Sequence, residues 1–248
     1  MENKIDYNNW TEKQLLSLKH NNPEGVFLRY VNKKPVTFSK REFLFSWINP
    51  KKDDFILECG SSSGVTCIHL VKNSGCCALG IDFDPVAIEV SNKMRDKFFP
   101  ELKNKCHFVK DNLETMKFLP NITKIIMPDF TEHIPDKVFS RILDNIKKQL
   151  GHVTLYIYTP PRENILEMMR RKNFILKRTE GHINLKTSAE LKNFIESRGW
   201  KIIESGWNYH YHPCIRMIEK LFYHLPFLKN FFQRKITLIA VPNEMTVH

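Results

Sequence analysis

The chain has 248 residues, 42% of them apolar and 26% charged, which suits one large α/β domain with its own core. No apolar run approaches the ~20 residues that span a bilayer, and the opening Met1-Glu2-Asn3-Lys4-Ile5-Asp6 lacks the apolar stretch of a secretory signal. The formal net charge of +11 favours anionic partners, although scattered lysines in a Lys-, Asn-, Ile- and Phe-rich chain equally describe a solvated surface.

Residues 1–50 read as a polar, helical N-terminal cap whose apolar residues cluster at Phe43-Leu44-Phe45-Ser46-Trp47-Ile48. From residue 54 short apolar runs alternate with amphipathic stretches, and 51–248 read as one domain. The runs are Phe55–Cys59, Cys77–Ile81, Cys106–Val109, Ile125–Met127, Val153–Tyr158, Lys201–Glu204 and Ile236–Val241. Short, largely β-branched or aromatic runs of this kind suit buried strands. Between them, Val86, Val90, Met94 and Phe98 recur every four residues behind Asp84-Pro85, an N-cap followed by a proline at the first helical position. Val138, Ile142, Ile146 and Leu150 repeat the spacing up to Gly151. Thr187-Ser188-Ala189-Glu190 forms a capping box that opens a helix ending at Arg198-Gly199.

This alternation predicts a doubly wound, mostly parallel seven-stranded sheet with helices on both faces. Segments at about 160–182 and 208–234 read as decorations on it. Six cysteines, Cys59, Cys67, Cys76, Cys77, Cys106 and Cys214, include no C-x-x-C pair. They read as reduced thiols of a cytoplasmic protein, neither a disulfide framework nor a zinc site.

In such sheets ligands lie beyond the carboxyl ends of the strands. The first strand ends in Glu58-x-Gly60-x-Ser62-x-Gly64. No Lys-Ser/Thr follows, so the loop is not a P-loop, and the dinucleotide fingerprint is absent. The second strand ends Gly80-Ile81-Asp82-Phe83-Asp84 and the third leads to Lys110-Asp111-Asn112. An acid at the tip of the second strand suits ribose hydroxyls, Phe83 suits an adenine face, and Asp111 could accept from the adenine amino group. Each acid would equally serve as a helix cap.

With this loop and these two strand-end acids, the chain resembles the class I S-adenosylmethionine-dependent methyltransferases over roughly residues 50–241. The resemblance implies a Rossmann-like fold and S-adenosyl-L-methionine as cofactor. Glu58, Gly60 and Gly64 match the acid and outer glycines of the first loop, while Asp82 and Asp111 match the ribose- and adenine-contacting acids. Ser62 stands in place of the usual middle glycine and could hydrogen-bond the methionine moiety, and Thr123 replaces the acid that commonly starts the fourth strand. Phe83 and Asn112 complete the expected cofactor set.

After the fourth strand, Asp129-Phe130-Thr131-Glu132-His133-Ile134-Pro135-Asp136 resembles a segment of the ubiquinone-biosynthesis O-methyltransferases. It also resembles the acid-x-x-Glu-His motif of small-RNA 2′-O-methyltransferases. Gly181-His182 resembles the Gly-His segment of that broader family. Asp129, Glu132 and His133 stand at i, i+3 and i+4, one face if the turn is helical. With His182 they make two carboxylates and two imidazoles, a ligand set for a divalent cation such as Mg²⁺. A metal there could chelate a vicinal diol. Alternatively His133 serves as a general base. The order of candidate bases is His133, then His182, with His210 and His212 behind.

Arg170-Arg171-Lys172 and the aromatic, basic stretch around 207–232 could contact an anionic substrate or a membrane surface; packing on the sheet is the plainer reading of the latter. The expected function is O-methylation of a small hydroxylated molecule. An RNA 2′-O-methyltransferase is the runner-up, although no RNA-binding module is recognisable, and a cofactor-binding scaffold without catalysis is a third reading. Oligomeric state is not expressed in the sequence.

Overall fold

A computed structural model describes residues 22–173, 181–209, 213–223, 225 and 229–243. His210 and His212 and most of the predicted N-terminal cap before residue 22 lie outside the described residues, as does the side chain of Cys214.

Seven strands form one sheet. They are β1 (Phe55–Cys59), β2 (Cys77–Asp82), β3 (Cys106–Lys110), β4 (Lys124–Pro128), β5 (Thr154–Thr159), β6 (Trp200–Asn208) and β7 (Lys235–Pro242), in the order β3-β2-β1-β4-β5-β7-β6. Strands β1 to β5 pair in parallel, whereas β7 runs antiparallel between β5 and β6. Every predicted strand is present. The helices are α1 (Pro23–Val31), α2 (Pro35–Ile48), α3 (Val65–Ser74), α4 (Pro85–Phe98), α5 (Asp136–Gln149), α6 (Ile165–Arg171), α7 (Ser188–Ser197), α8 (Pro213–Tyr223) and the single turn α9 (Lys229–Phe232). None of the described helices is long and apolar enough to cross a membrane.

Alternation along the strands divides the core between two faces. Leu57, Ile125, Met127, Leu155 and Ile157 face α5 and α7 through Phe139, Ile142, Ile146, Leu191 and Ile195. Their neighbours Ile56, Ile126, Tyr156 and Tyr158 face the other way, against Ile68 and Leu70 of α3 and Met94 of α4. Phe27 and Tyr30 of α1 and Leu44 and Ile48 of α2 belong to that second cluster. The N-terminal helices therefore share one core with the sheet.

The predicted caps form. Asp84 accepts from the Val86 N–H at 2.9 Å, and Thr187 and Glu190 make the reciprocal capping box of α7. The α4 stripe differs from the expected one. Its buried face is Ala87, Ser91, Met94 and Arg95, while Val86 is 58% exposed. A strict four-residue repeat drifts around a 3.6-residue helix, so only the i, i+4, i+7, i+8 set stays on one face.

Cys59, Cys67, Cys76, Cys77 and Cys106 are free thiols, and all but the half-buried Cys77 are buried. Burial pushes the Cys59 and Cys67 thiols well above their ordinary range, with Glu58 adding to the effect.

Candidate active site

The carboxyl ends of β1, β2 and β4 open onto one cavity of about 940 Å³. The turn after β1 is unusual in its backbone. Gly60, Ser62 and Gly64 all have positive φ, at 69°, 46° and 71°, a region only glycine occupies without strain. A Cβ at Gly60 would stand 2.5 Å from the Phe130 ring, and one at Gly64 would stand 2.5 Å from the Phe108 ring. Ser62 adopts the same left-handed conformation despite its side chain, held by two bonds. Its N–H donates to Asp82 Oδ2 at 2.8 Å, and its carbonyl accepts from Ser91 Oγ at 2.7 Å.

Glu58 lies behind this loop, 3% exposed. Its Oε2 accepts from the Cys67 N–H at 3.2 Å and from its thiol at 3.0 Å. Burial raises its pKa, opposed by the bonds from Cys67 and Thr66 and by Arg41. Asp82 has both oxygens turned to backbone donors, Oδ2 to Ser62 and Oδ1 to Asp84 N–H at 3.0 Å. A carboxylate accepts up to four bonds, so holding the loop is compatible with accepting further hydroxyls. Glu58, Gly60, Ser62, Asp82 and Phe83 line the cavity, together with Asp111 and Asn112 at the end of β3. Gly64 is not on its wall; it permits the close approach of Phe108 from behind.

Beyond β4, Asp129 takes positive φ, 52°, and its N–H donates to the Tyr158 carbonyl at 2.7 Å. Its two carboxylate oxygens are hydrogen-bonded by Lys40 of α2 and Lys235 of β7, and both ammonium groups also stand over the Tyr158 ring. Burial alone would raise the Asp129 pKa, but Lys235 and Lys40 hold it well below the carboxylate range. Asp129 is thus a counter-ion for two lysines, and it stands outside the cluster it was expected to join.

That cluster comprises the other three residues. Glu132, His133 and His182 each offer a ligand atom, all within 4.8 Å of one another. The turn Thr131–His133 is 3₁₀, so the expected shared helical face is only partly formed. Glu132 is fully buried. Its Oε2 accepts from Thr159 Oγ1 at 2.9 Å, while its Oε1 has no hydrogen bond and lies 4.0 Å from Lys235 Nζ. The Glu132 carbonyl accepts from the Ile183 and Asn184 N–H groups, each at 3.0 Å. These bonds bring His182 alongside His133, with ring centroids 5.2 Å apart.

The two imidazoles are wired alike. His133 Nδ1 lies 2.8 Å from the Gly181 carbonyl. A carbonyl only accepts, so Nδ1 carries the proton. His182 Nδ1 lies 2.9 Å from Glu167 Oε2. Burial pushes the Glu167 carboxyl up, but His182 and Arg170 bring it below its ordinary value, so it too acts as acceptor. Each histidine is left with Nε2 as its acceptor atom. Both line the cavity that holds the glycine loop.

A family model described as a methyltransferase domain matches residues 27–205, the greater part of the chain. The chain belongs to the methyltransferase domain family. No curated protein sequence matches this methyltransferase, but its fold is common among solved structures. Magnesium protoporphyrin IX methyltransferase from Synechocystis, with bound SAH, aligns at 13% identity and a TM-score of 0.65, covering 94% of this chain and 100% of that one. A chain from a methyltransferase activator complex of Haloferax volcanii aligns at 12% identity and 0.66, covering 91% and 96%. Geranyl diphosphate C-methyltransferase from Streptomyces coelicolor, solved with Mg²⁺, geranyl diphosphate and S-adenosyl-L-homocysteine, aligns at 13% and 0.59, covering 82% and 80%. At such identities the likeness establishes the fold: the seven-stranded, Rossmann-like sheet of S-adenosylmethionine-dependent methyltransferases.

Sequence reasoning missed Lys40, Lys235 and Glu167. Lys40 and Asp129 are 89 residues apart and Lys235 and Asp129 are 106 apart, so no local pattern joins them. Asp54 was also missed. Thr123 Oγ1 donates to Asp54 Oδ1 at 2.7 Å, and Lys124 pairs with the same carboxylate, so the acid absent at the start of β4 stands at the start of β1 instead.

Proposed function

We propose that this S-adenosylmethionine-dependent methyltransferase methylates a hydroxyl of a small molecule, with His133 and His182 serving the acceptor. The observation that carries the reading is the pair of imidazoles, each with Nδ1 committed to an acceptor, in the same cavity as the glycine loop. Asp82 would accept the ribose hydroxyls, Phe83 would lie against the adenine, and Asp111 and Asn112 would contact its edge. The loop from Gly60 to Gly64 would receive the methionine moiety, with Ser62 as a polar contact and Glu58 holding the loop from behind.

Methyl transfer is an in-line displacement at a sulfonium. A bond forms from the acceptor oxygen to the methyl carbon, the sulfur–methyl bond breaks, and a neutral thioether leaves. The acceptor proton goes to Nε2 of His133 or His182. A hydroxyl needs that base because the neutral oxygen is a weak nucleophile; the rest is alignment. A cavity of about 940 Å³ is at the upper end of ligand-sized sites, which leaves room for an acceptor beside the cofactor. Magnesium protoporphyrin IX and geranyl diphosphate, after which two of the neighbouring enzymes are named, are likewise small molecules.

In the alternative use of the cluster, the same Nε2 atoms bind a divalent cation instead of taking the acceptor proton. A metal-bound imidazole characteristically donates its other ring N–H to a carbonyl or carboxylate, which both histidines do, and Glu132 presents a buried oxygen with no hydrogen bond. Glu132, His133 and His182 would hold the ion, with Asp129 held aside by its two lysines. A bound ion would supply Lewis acidity that lowers the acceptor hydroxyl's pKa.

The test is methyl-labelled S-adenosylmethionine offered with catechols, polyols, prenylated phenols, short oligoribonucleotides and primary amines, with the new bond located by mass spectrometry. The reading predicts label on oxygen of a small molecule. Label only on nitrogen, carbon or RNA would overturn it. Calorimetric titration with Mg²⁺, Mn²⁺ and Zn²⁺ tests the metal separately: saturable binding that is lost in Glu132→Gln supports it, and no binding removes it.

A further inference from the structure

Glu167 belongs to no motif in the sequence, yet it is 5% exposed and lies directly behind His182. It sits in the first turn of α6. That short helix is anchored by the buried Asn164, whose Oδ1 accepts from the Leu166 N–H at 3.0 Å and whose amide donates to the Gln233 carbonyl at 2.9 Å. The two oxygens of Glu167 are used differently. Oε1 accepts from Arg170 Nη1 at 2.5 Å, and Oε2 accepts from His182 Nδ1 at 2.9 Å. On the far side of this pair lies a small polar cavity of about 120 Å³, whose wall includes Glu167, Arg170 and His182. Glu167 is not on the wall of the large cavity, whereas His182 is on both.

We propose that Glu167 is a positioning residue that fixes the tautomer of His182, keeping its proton on Nδ1 and its Nε2 lone pair toward His133 and Glu132. This rests on the acceptor-site reading given above. A carboxylate in this place is acceptor-only, so an imidazole facing it must present N–H. Arg170 makes the arrangement asymmetric. Because its guanidinium only donates, it marks Oε1 as the oxygen that must remain an acceptor. An amide put in place of the carboxylate would therefore turn its oxygen to Arg170 and its NH₂ to His182. Facing a donor, Nδ1 would have to give up its proton, which moves to Nε2. His182 would then present N–H where the site needs a lone pair, and it could neither take a proton nor bind a metal.

The experiment reads the tautomer directly. Full-length protein with ¹⁵N-labelled histidine is examined at a pH of about 8.5, above the ordinary imidazole range, and His182 is assigned from the resonances lost in His182→Ala. The proposal expects an Nδ1–H imidazole in the wild type and an Nε2–H imidazole in Glu167→Gln. It expects at least a tenfold loss of methyl transfer in that variant, with affinity for S-adenosylhomocysteine within twofold of wild type. In Glu167→Gln/Arg170→Ala the amide is released to turn its oxygen to His182, so the Nδ1–H form and part of the activity return. An Nε2–H imidazole in the wild type overturns the proposal without any variant, as does an unchanged tautomer in Glu167→Gln. The tautomer is read without an acceptor. Failure of the hydroxyl-acceptor reading would show instead as methyl groups on other atoms, with the Glu167–His182 signature intact.

Discussion

At the scale of single residues, the loop after β1 carries a measurable contrast. Gly64 and Ser62 both hold left-handed backbone, but only Gly64 has Phe108 pressed where a Cβ would go. Gly64→Ala combines a left-handed penalty of ~1–2 kcal/mol with overpacking of ~1–3 kcal/mol, so urea denaturation should show a loss of about 2–5 kcal/mol. Ser62→Gly relieves a comparable left-handed penalty but gives back ~0.5–1 kcal/mol in backbone entropy. Its stability should stay within about 1 kcal/mol of wild type. A large loss in Ser62→Gly would mean that the serine side chain supports the loop in its own right. Asp82 is the loop's anchor, bonding both Ser62 and Asp84. Asp82→Asn removes charge from those bonds, and hydrogen bonds to charged groups contribute ~1.5–3 kcal/mol. Calorimetry should find S-adenosylhomocysteine bound at least tenfold more weakly; unchanged affinity would remove Asp82 from the cofactor site.

At the scale of elements, the N-terminal helices are held to α3 through His69. Tyr30 of α1 bonds His69 Nδ1 at 3.0 Å, Glu42 of α2 lies 3.3 Å from Nε2, and Phe38 and Phe45 meet the ring edge-on. Burial lowers the His69 pKa from 6.5 to about 4, with Arg41 and Lys72 adding to the shift. The unfolded chain therefore binds this proton across a window in which the folded chain refuses it. Stability is fully present above about 6.5 and falls as pH drops toward 4, by roughly 3 kcal/mol across the window. Urea midpoints between pH 7 and 4.5 should show this slope, and His69→Gln should flatten it. Asp129 acts in a separate window: its pKa is depressed, so its contribution is present above the ordinary Asp value and lost only as pH falls below about 4.

What was legible in the sequence follows the same division. Caps such as Asp84-Pro85 and Thr187…Glu190 involve neighbours, so their chemistry is written locally, and each strand's apolar run marks its place in the core. The α4 face was misjudged at Val86 because several apolar registers compete along one amphipathic helix, and only the packed partner selects among them. Glu132, His133 and His182 were legible as chemistry-bearing types. Lys40, Lys235 and Glu167 were not, because a lysine on an N-terminal helix or a glutamate in a basic stretch is indistinguishable from a solvated charge until the fold turns it inward.

At the scale of the whole molecule, the direction of one strand arranges the site. β7 runs antiparallel, with Ile236 opposite Thr159 at the carboxyl end of β5, so its first residue, Lys235, arrives where the parallel strands open. A parallel strand would deliver its first residue to the far edge of the sheet. This placement lets Lys235 meet Asp129 at the end of β4 and stand 4.0 Å from Glu132. Strand direction is a property of the assembled sheet, and nothing in the run Ile236–Val241 expresses it. The same assembly gathers the glycine loop after β1 and the histidine pair around one cavity, and the proposed function depends on that union. It is tested most directly by single-turnover methyl transfer to the oxygen acceptor in His133→Ala and His182→Ala, alongside their affinity for S-adenosylhomocysteine. The account predicts that at least one of the two transfers methyl about 100-fold or more slowly while cofactor affinity stays within about twofold of wild type. Methyl transfer at the wild-type rate in both variants would contradict it.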